Sequence, residues 1–342
     1  MERILILLSL LVAVQTAWAR DPISDEKLTQ IVDQFQYITI YNIKDNNTNS
    51  GSWDTCWYYT TNLETDYPGA TGNYEIKTKF YIPNRDDLGT DQVPFVILLP
   101  PMGGANFLDE SMAETLCSRN IAAMIITNDF TGVQNGDVPP VEDHDMAFHR
   151  TVAGVKAAMA FAKDDPNVNG DKVGLFGVSL GGILGSFAMS TQLDISAGYF
   201  VVAGGDVPHI LAYSDNEQVA RIRVERMKLE GFTTKDEYED YLRVNMSLDP
   251  FDLSRSVPSE TISMVLSRND TTVPTEDQLL LHTGYGQPKV QYTNSGHVDA
   301  VIETLLWGDS RRKIADFFKE RFKLENPRLS TRWLEQFDLS RY

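Results

Sequence analysis

An α/β fold, a mostly parallel sheet with helices on both faces, is the class the sequence predicts, and three observations predict it. Six short apolar runs, "VPFVILLPP", "IAAMIITN", "KVGLFGVS", "ISAGYFVVAGG", "ISMVLS" and "KVQYTNSG", each stop at Gly, Pro, Asn or Ser. Such near-continuous runs suit parallel strands buried on both faces. Helix-like stretches separate them, and strand–helix alternation is the mark of this layer architecture. The chain has 342 residues, 42% of them hydrophobic, enough for one large globular domain.

The elements follow in order. "MERILILLSLLVAVQTAWAR" has a weakly positive start, an apolar run from Ile4 to Val14 and the small-x-small pattern Ala17-Trp18-Ala19. Residues 1–19 therefore read as a secretory leader cut after Ala19. The apolar run is about half of the ~20 residues that span a bilayer, and no later segment is long and apolar enough to cross one. Tyr37 to Ile43 and Tyr74 to Pro83 alternate like half-buried strands, separated by a polar Gly- and Thr-rich stretch. With the six apolar runs they make an eight-stranded sheet. Helices are expected over Asp109–Arg119, Asp143–Lys163, Leu180–Thr191, Glu276–Thr283 and Val298–Phe322. The domain is assigned to residues 20–325, with 326–342 a tail or a docked helix. Residues 206–250 are charged and helical without a strand, which suggests a cap over the carboxyl edge of the sheet.

Charge and cysteines narrow the setting. Lys and Arg number 30 against 48 Asp and Glu, and the net charge of −18 disfavours nucleic acid and anionic membranes as partners. The leader implies a periplasmic or extracellular location. An oxidising compartment permits a Cys56–Cys117 disulfide, with a buried free thiol at Cys117 the alternative. Two cysteines so far apart make neither a metal site nor a redox motif. No metal or other cofactor is called for. Asn46, Asn245 and Asn269 stand in N-x-S/T patterns, but a glycan on Asn269 would crowd the neighbouring Asp270, which favours a bacterial exported protein. The aromatics between Trp53 and Tyr59 fit either sheet-edge packing or a sugar-stacking surface.

Chemistry centres on Gly177-Val178-Ser179-Leu180-Gly181, which ends a strand and opens a helix. G-x-S-x-G in that context raises a serine on a strained turn, and small neighbours let strand and helix approach. A serine hydroxyl needs a base within hydrogen-bond reach. His144 and His149 lie in an upstream helix, His209 in the cap and His282 inside a helix. His297 alone follows the last strand on a loop at the site edge. The base needs a carboxylate in turn. Asp270, past the penultimate strand, is favoured over Asp206, whose strand also ends at the site; Glu276 and Asp277 suit a helix's first turn. Two donors must meet the developing oxyanion. One is the N–H of Leu180. Pro100 and Pro101 have none to give, so the second falls to Met102 or Gly103.

"GVSLGG", "SRNDTTVP" and "SGH", in the order Ser, Asp, His behind a glycine-bearing loop, resemble the α/β-hydrolases over about Ile38 to Phe322. The closest likeness is to dienelactone-hydrolase-like and carboxylesterase-like members. The resemblance implies Ser179 as nucleophile, Asp270 as acid and His297 as base. The chain departs from the pattern at Pro100-Pro101, where His-Gly is usual, and in carrying serine where true dienelactone hydrolases carry cysteine. The expected activity is cleavage of a small-molecule or carbohydrate ester through an acyl-enzyme. A prolyl-peptidase-like peptidase, a thioesterase and a non-catalytic binding protein are the alternatives.

Overall fold

Alternation along the strands sets the layers. In β5 (Val93–Leu99), Phe95, Ile97 and Leu99 pack into one apolar cluster, while Val96 and Leu98 pack into another on the opposite face. Successive strand side chains point to opposite faces, so a strand apolar at every position is buried on both. The computed structural model describes residues 20–45, 51–53, 56–68, 70, 72–84, 92–127, 138–192 and 194–323. The leader read from residues 1–19, Asn46 and the tail 326–342 lie outside the described residues.

The described sheet has ten strands rather than eight, in the order β1-β3-β4-β6-β5-β7-β8-β9-β10, with β2 paired to β3. Its amino-terminal part is antiparallel: β1 (Tyr41–Asp45), β2 (Gly51–Trp53), β3 (Cys56–Thr65) and β4 (Tyr74–Pro83), with β4 also antiparallel to β6 (Ala122–Ile126). The remainder is parallel, running through β5, β7 (Val168–Val178), β8 (Ile195–Val201), β9 (Ile262–Ser267) and β10 (Lys289–Thr293). β2 and β3 fall where the sequence suggests a polar connection. "CWYYTTNLET" is rich in aromatic and β-branched residues, and those favour a pleated surface despite their polarity. Tyr59 meets Phe80 edge-on at 5.4 Å and Tyr58 lies 5.8 Å from Tyr81, so both rings pack the sheet.

One face of the sheet carries α1 (Asp25–Asp33), α3 (Glu142–Asp164) and α4 (Leu180–Thr191), and the other carries α2 (Phe107–Cys117), α10 (His297–Leu305) and α11 (Gly308–Arg321). The expected single helix over Val298–Phe322 is these last two, broken at Leu306-Trp307. Helix α1 is absent from the sequence reading. Ser24 caps it, its hydroxyl accepting from Lys27 N, and Leu28, Ile31 and Val32 bury its apolar side. Between β8 and β9 the chain forms α5 (Val207–Tyr213), α6 (Glu217–Glu230), α7 (Lys235–Asn245) and α8 (Pro250–Ser254). A disulfide joins Cys56 to Cys117, so Cys117 is not a free thiol. Among the described residues no helix is long and apolar enough to cross a membrane.

Candidate active site

The carboxyl ends of β5, β7, β9 and β10 share one edge because these strands are parallel, and each delivers a loop there. Ser179 sits between β7 and α4 at φ 52°, ψ −121°, a conformation that L-residues avoid. Such strain costs of order 1–3 kcal/mol and persists only when the surroundings over-determine it. Here the Ser179 N–H donates to Val201 O at 2.9 Å, and its carbonyl accepts from Ile183 N at 2.9 Å. The glycines make the turn sterically feasible: a Cβ on Gly181 would stand 2.1 Å from Leu99 O, and one on Gly177 would stand 2.4 Å from Gly181 O.

His297 opens α10 from the loop after β10, three strands away from β7. Two loops reach back together. Asn269 Nδ2 donates to Asn294 O at 2.6 Å, Arg268 Nη1 donates to Asn294 Oδ1 at 2.9 Å, and the Ser267 hydroxyl donates to Ser295 O. The result is a continuous series. His297 Nδ1 lies 2.6 Å from Asp270 Oδ2, and Nε2 lies 2.8 Å from Ser179 Oγ. A carboxylate only accepts, so the ring proton belongs on Nδ1 and the Nε2 lone pair faces the serine hydroxyl. The side chain of Asp270 is fully buried, Ser179 is buried, and the His297 side chain keeps 12% of its surface exposed.

Asp270 is held from four directions. Its Oδ1 accepts from Thr272 N and Val273 N, both at 2.9 Å, an Asx turn that its own sequence dictates. Its Oδ2 accepts from His297 and from Gln278 Nε2 at 2.8 Å. Gln278, on α9 (Thr275–Gly284), is absent from the sequence reading, since a glutamine inside a helix carries no motif. Its place four residues beyond Pro274, on the turn that faces the Asx loop, is the one signal that points to it.

Asp206, the competing acid, is not joined to His297. It adopts φ 60°, caps α5 through His209 N, and accepts from Arg243 Nη2 at 2.8 Å. The reason is topological: β8 leads directly into α5, and capping that helix turns the carboxylate away. The other histidines have other surroundings. His209 Nδ1 sits 2.9 Å from Asp277 Oδ2, and that bond raises the imidazole, whereas burial pushes the Asp277 carboxyl up to about 7. His282 Nε2 meets Pro288 O, and His149 stacks on Phe35 at 4.7 Å.

The oxyanion candidates separate. Leu180 begins α4, so its N–H has no intrahelical acceptor. Met102 and Leu180 both border the cavity at Ser179, whereas Gly103 is exposed at φ 98° and does not. That cavity, about 480 Å³, runs from Ser179 beneath α5, α6 and α7 and outward between α2 and α10. His144 borders it, and burial holds its imidazole down to about 4.

A family described as BAAT / acyl-CoA thioester hydrolase C terminal matches residues 155–298, a span that includes Ser179, Asp270 and His297. Among curated proteins, none matches the chain's sequence. Solved structures do match its shape. Acetyl xylan esterase 1 from a Thermoanaerobacterium species aligns with a TM-score of 0.58 at 14% identity, over 84% of this chain and 95% of that one. An acetyl xylan esterase from a Paenibacillus species gives 0.59 at 13%, over 89% and 97%. This chain has the α/β-hydrolase fold. A further member, Est1E from Butyrivibrio proteoclasticus, aligns at 0.51 and 15% identity, over 76% and 99%. Between β8 and the strand that precedes Asp270 the chain forms α5–α8, and α5, α6 and α7 supply residues that border the cavity.

Proposed function

We propose that this α/β-hydrolase is an exported serine esterase. The observation that carries the reading is the unbroken Asp270–His297–Ser179 hydrogen-bond series at the mouth of an apolar cavity. Ser179 Oγ attacks the ester carbonyl carbon as His297 Nε2 takes its proton. The carbonyl oxygen becomes an oxyanion between the Leu180 and Met102 amides. The tetrahedral intermediate collapses, the C–O bond to the alcohol breaks, and the imidazolium returns the proton to that alcohol. Water, deprotonated by His297, then attacks the acyl-serine and releases the acid and the free hydroxyl. Asp270 keeps Nδ1 protonated and stabilises the imidazolium throughout.

Export rests on residues 1–19 and is supported by the Cys56–Cys117 disulfide, since such bonds persist in oxidising compartments. The segment from 206 to 250 acts as a cap, a role supported by the borders that α5, α6 and α7 supply to the cavity.

The family match favours a second reading, a thioester hydrolase, because the same serine chemistry would cleave an acyl thioester. The net charge of −18 weighs against a polyanionic coenzyme as the carrier.

Ser179→Ala should lower kcat/KM on p-nitrophenyl butyrate by at least about 10⁴-fold while leaving the circular dichroism spectrum unchanged. Butyryl coenzyme A, run beside it, separates the two readings. Turnover that survives in the alanine variant removes Ser179 as nucleophile.

A further inference from the structure

The cavity that reaches Ser179 is selective in what it offers. No Asp, Glu, Lys or Arg is among the described residues that border it. Its inner arm is walled by Ala147, Phe148, Ile183, Ile210 and Val219, contributed by α3, α4 and the roofing helices α5 and α6. Its outer arm opens between Phe107 and Val298, which are 65% and 66% exposed although both are large and apolar.

Several polar atoms on the border are already engaged within the protein. Asn106 Oδ1 accepts from Leu108 N, Asn216 Oδ1 accepts from Gln218 N and Val219 N, and Ser214 Oγ accepts from Asn216 N. The Thr272 hydroxyl donates to Asp215 Oδ1 at 2.7 Å. His144 and Tyr238 stay uncharged around neutrality, because burial holds the imidazole down to about 4 and pushes the phenol up to about 12. A sugar ring needs several polar groups to replace its lost water, and an unreplaced hydroxyl is costly to bury. An alkyl chain asks only for apolar wall, which this cavity has in excess.

We propose that the cavity takes the apolar chain of an uncharged ester, about six to ten carbons long, and that it discriminates against acetylated sugars. The proposal rests on the esterase reading for the bond that is cut. The chain selectivity itself belongs to the wall, whatever happens at the serine.

The test has a kinetic arm and a binding arm. In the first, kcat/KM is measured on p-nitrophenyl esters from acetate to dodecanoate and on methyl tri-O-acetyl-xyloside. Each added methylene should raise kcat/KM by about fourfold until the inner arm is full. Octanoate should then exceed acetate by about 250-fold or more, the gain of the four methylenes that separate two carbons from six. Ala147→Phe, which fills the inner arm from α3, should cut the octanoate-to-acetate ratio by at least about tenfold. Val219→Phe does so from the roof and serves if the first variant does not fold. In the second arm, Ser179→Ala is titrated calorimetrically with methyl octanoate and with the acetylated xyloside, with and without Ala147→Phe.

A flat acyl series, or a xyloside that outruns octanoate, overturns the chain proposal and leaves the serine chemistry standing. Absent serine-dependent turnover, together with methyl octanoate binding that Ala147→Phe abolishes, upholds the proposal and removes the esterase reading. Neither turnover nor binding overturns both.

Discussion

Gln278 touches neither Ser179 nor His297, yet its side-chain amide ties three points of the loop that carries Asp270. Nε2 donates to Asp270 Oδ2 and to Val273 O at 2.7 Å, and Oε1 accepts from Ser267 N at 3.0 Å. The side chain is fully buried, so water cannot replace these bonds. Gln278→Leu strands the Ser267 amide and the Val273 carbonyl, and should cost about 1–3 kcal/mol of stability in urea unfolding. It also frees Asp270 to turn, so kcat should fall about tenfold with KM held. Gln278→Glu sets a second carboxyl against Asp270, and like charges at that distance disfavour ionisation of one of them. Its kcat should fall further at pH 8, and an unchanged kcat in both variants rules out a positioning role.

At the scale of elements, the disulfide and the turn at Ser179 do different work. Cys56 opens β3 and Cys117 ends α2, 61 residues apart, so the bond clips the antiparallel wing of the sheet to a helix on its face. In the chain-entropy account, closing a loop of that length stabilises the fold by about 4 kcal/mol. The Cys56→Ser/Cys117→Ala variant should lose about 2–4 kcal/mol in guanidinium unfolding, while ester turnover well below the melting temperature is unchanged. Neither cysteine borders the cavity. The turn has no such margin. A methyl at Gly181 meets the Leu99 carbonyl of the adjacent strand, so the strand and helix that present Ser179 must part.

For the whole molecule, the buried titratable groups set the response to acid. His144 holds its proton only below about 4 in the folded chain but near 6.5 when exposed. Its folded pKa is depressed, so its contribution is fully present above pH 6.5 and is lost as pH falls toward 4. The total is about 3 kcal/mol. Asp109 and Asp252 act oppositely, because burial raises both carboxyls to about 6. The folded state keeps their protons longer than the unfolded state does, so their contribution declines as pH rises from about 4 to 6. The two trends overlap, and a difference measurement separates them. His144→Phe should lose stability less steeply than wild type between pH 6.5 and 4 in urea titrations; parallel curves remove His144 from the account.

Sequence by itself determined the elements whose signals are local. Apolar runs closed by Gly or Pro mark the parallel strands, and "GVSLGG" marks a turn too tight for a Cβ at 177 or 181, because these depend on neighbours along the backbone. The order Ser179, Asp270, His297 is legible for the same reason: each follows a strand that ends at the shared edge. Three features were decided only by tertiary structure. The chain favours Asp270 over Asp206 without excluding the latter, since both follow strands, and it takes the capping of α5 and the grip of Gln278 to aim one carboxylate at the imidazole. Strand β3 reads as polar until Phe80 and Tyr81 lie against its tyrosines. The cavity has no local signature at all, because its wall joins residues from α2 to α10. Burial, and with it the character of the site, is a property of which surfaces meet.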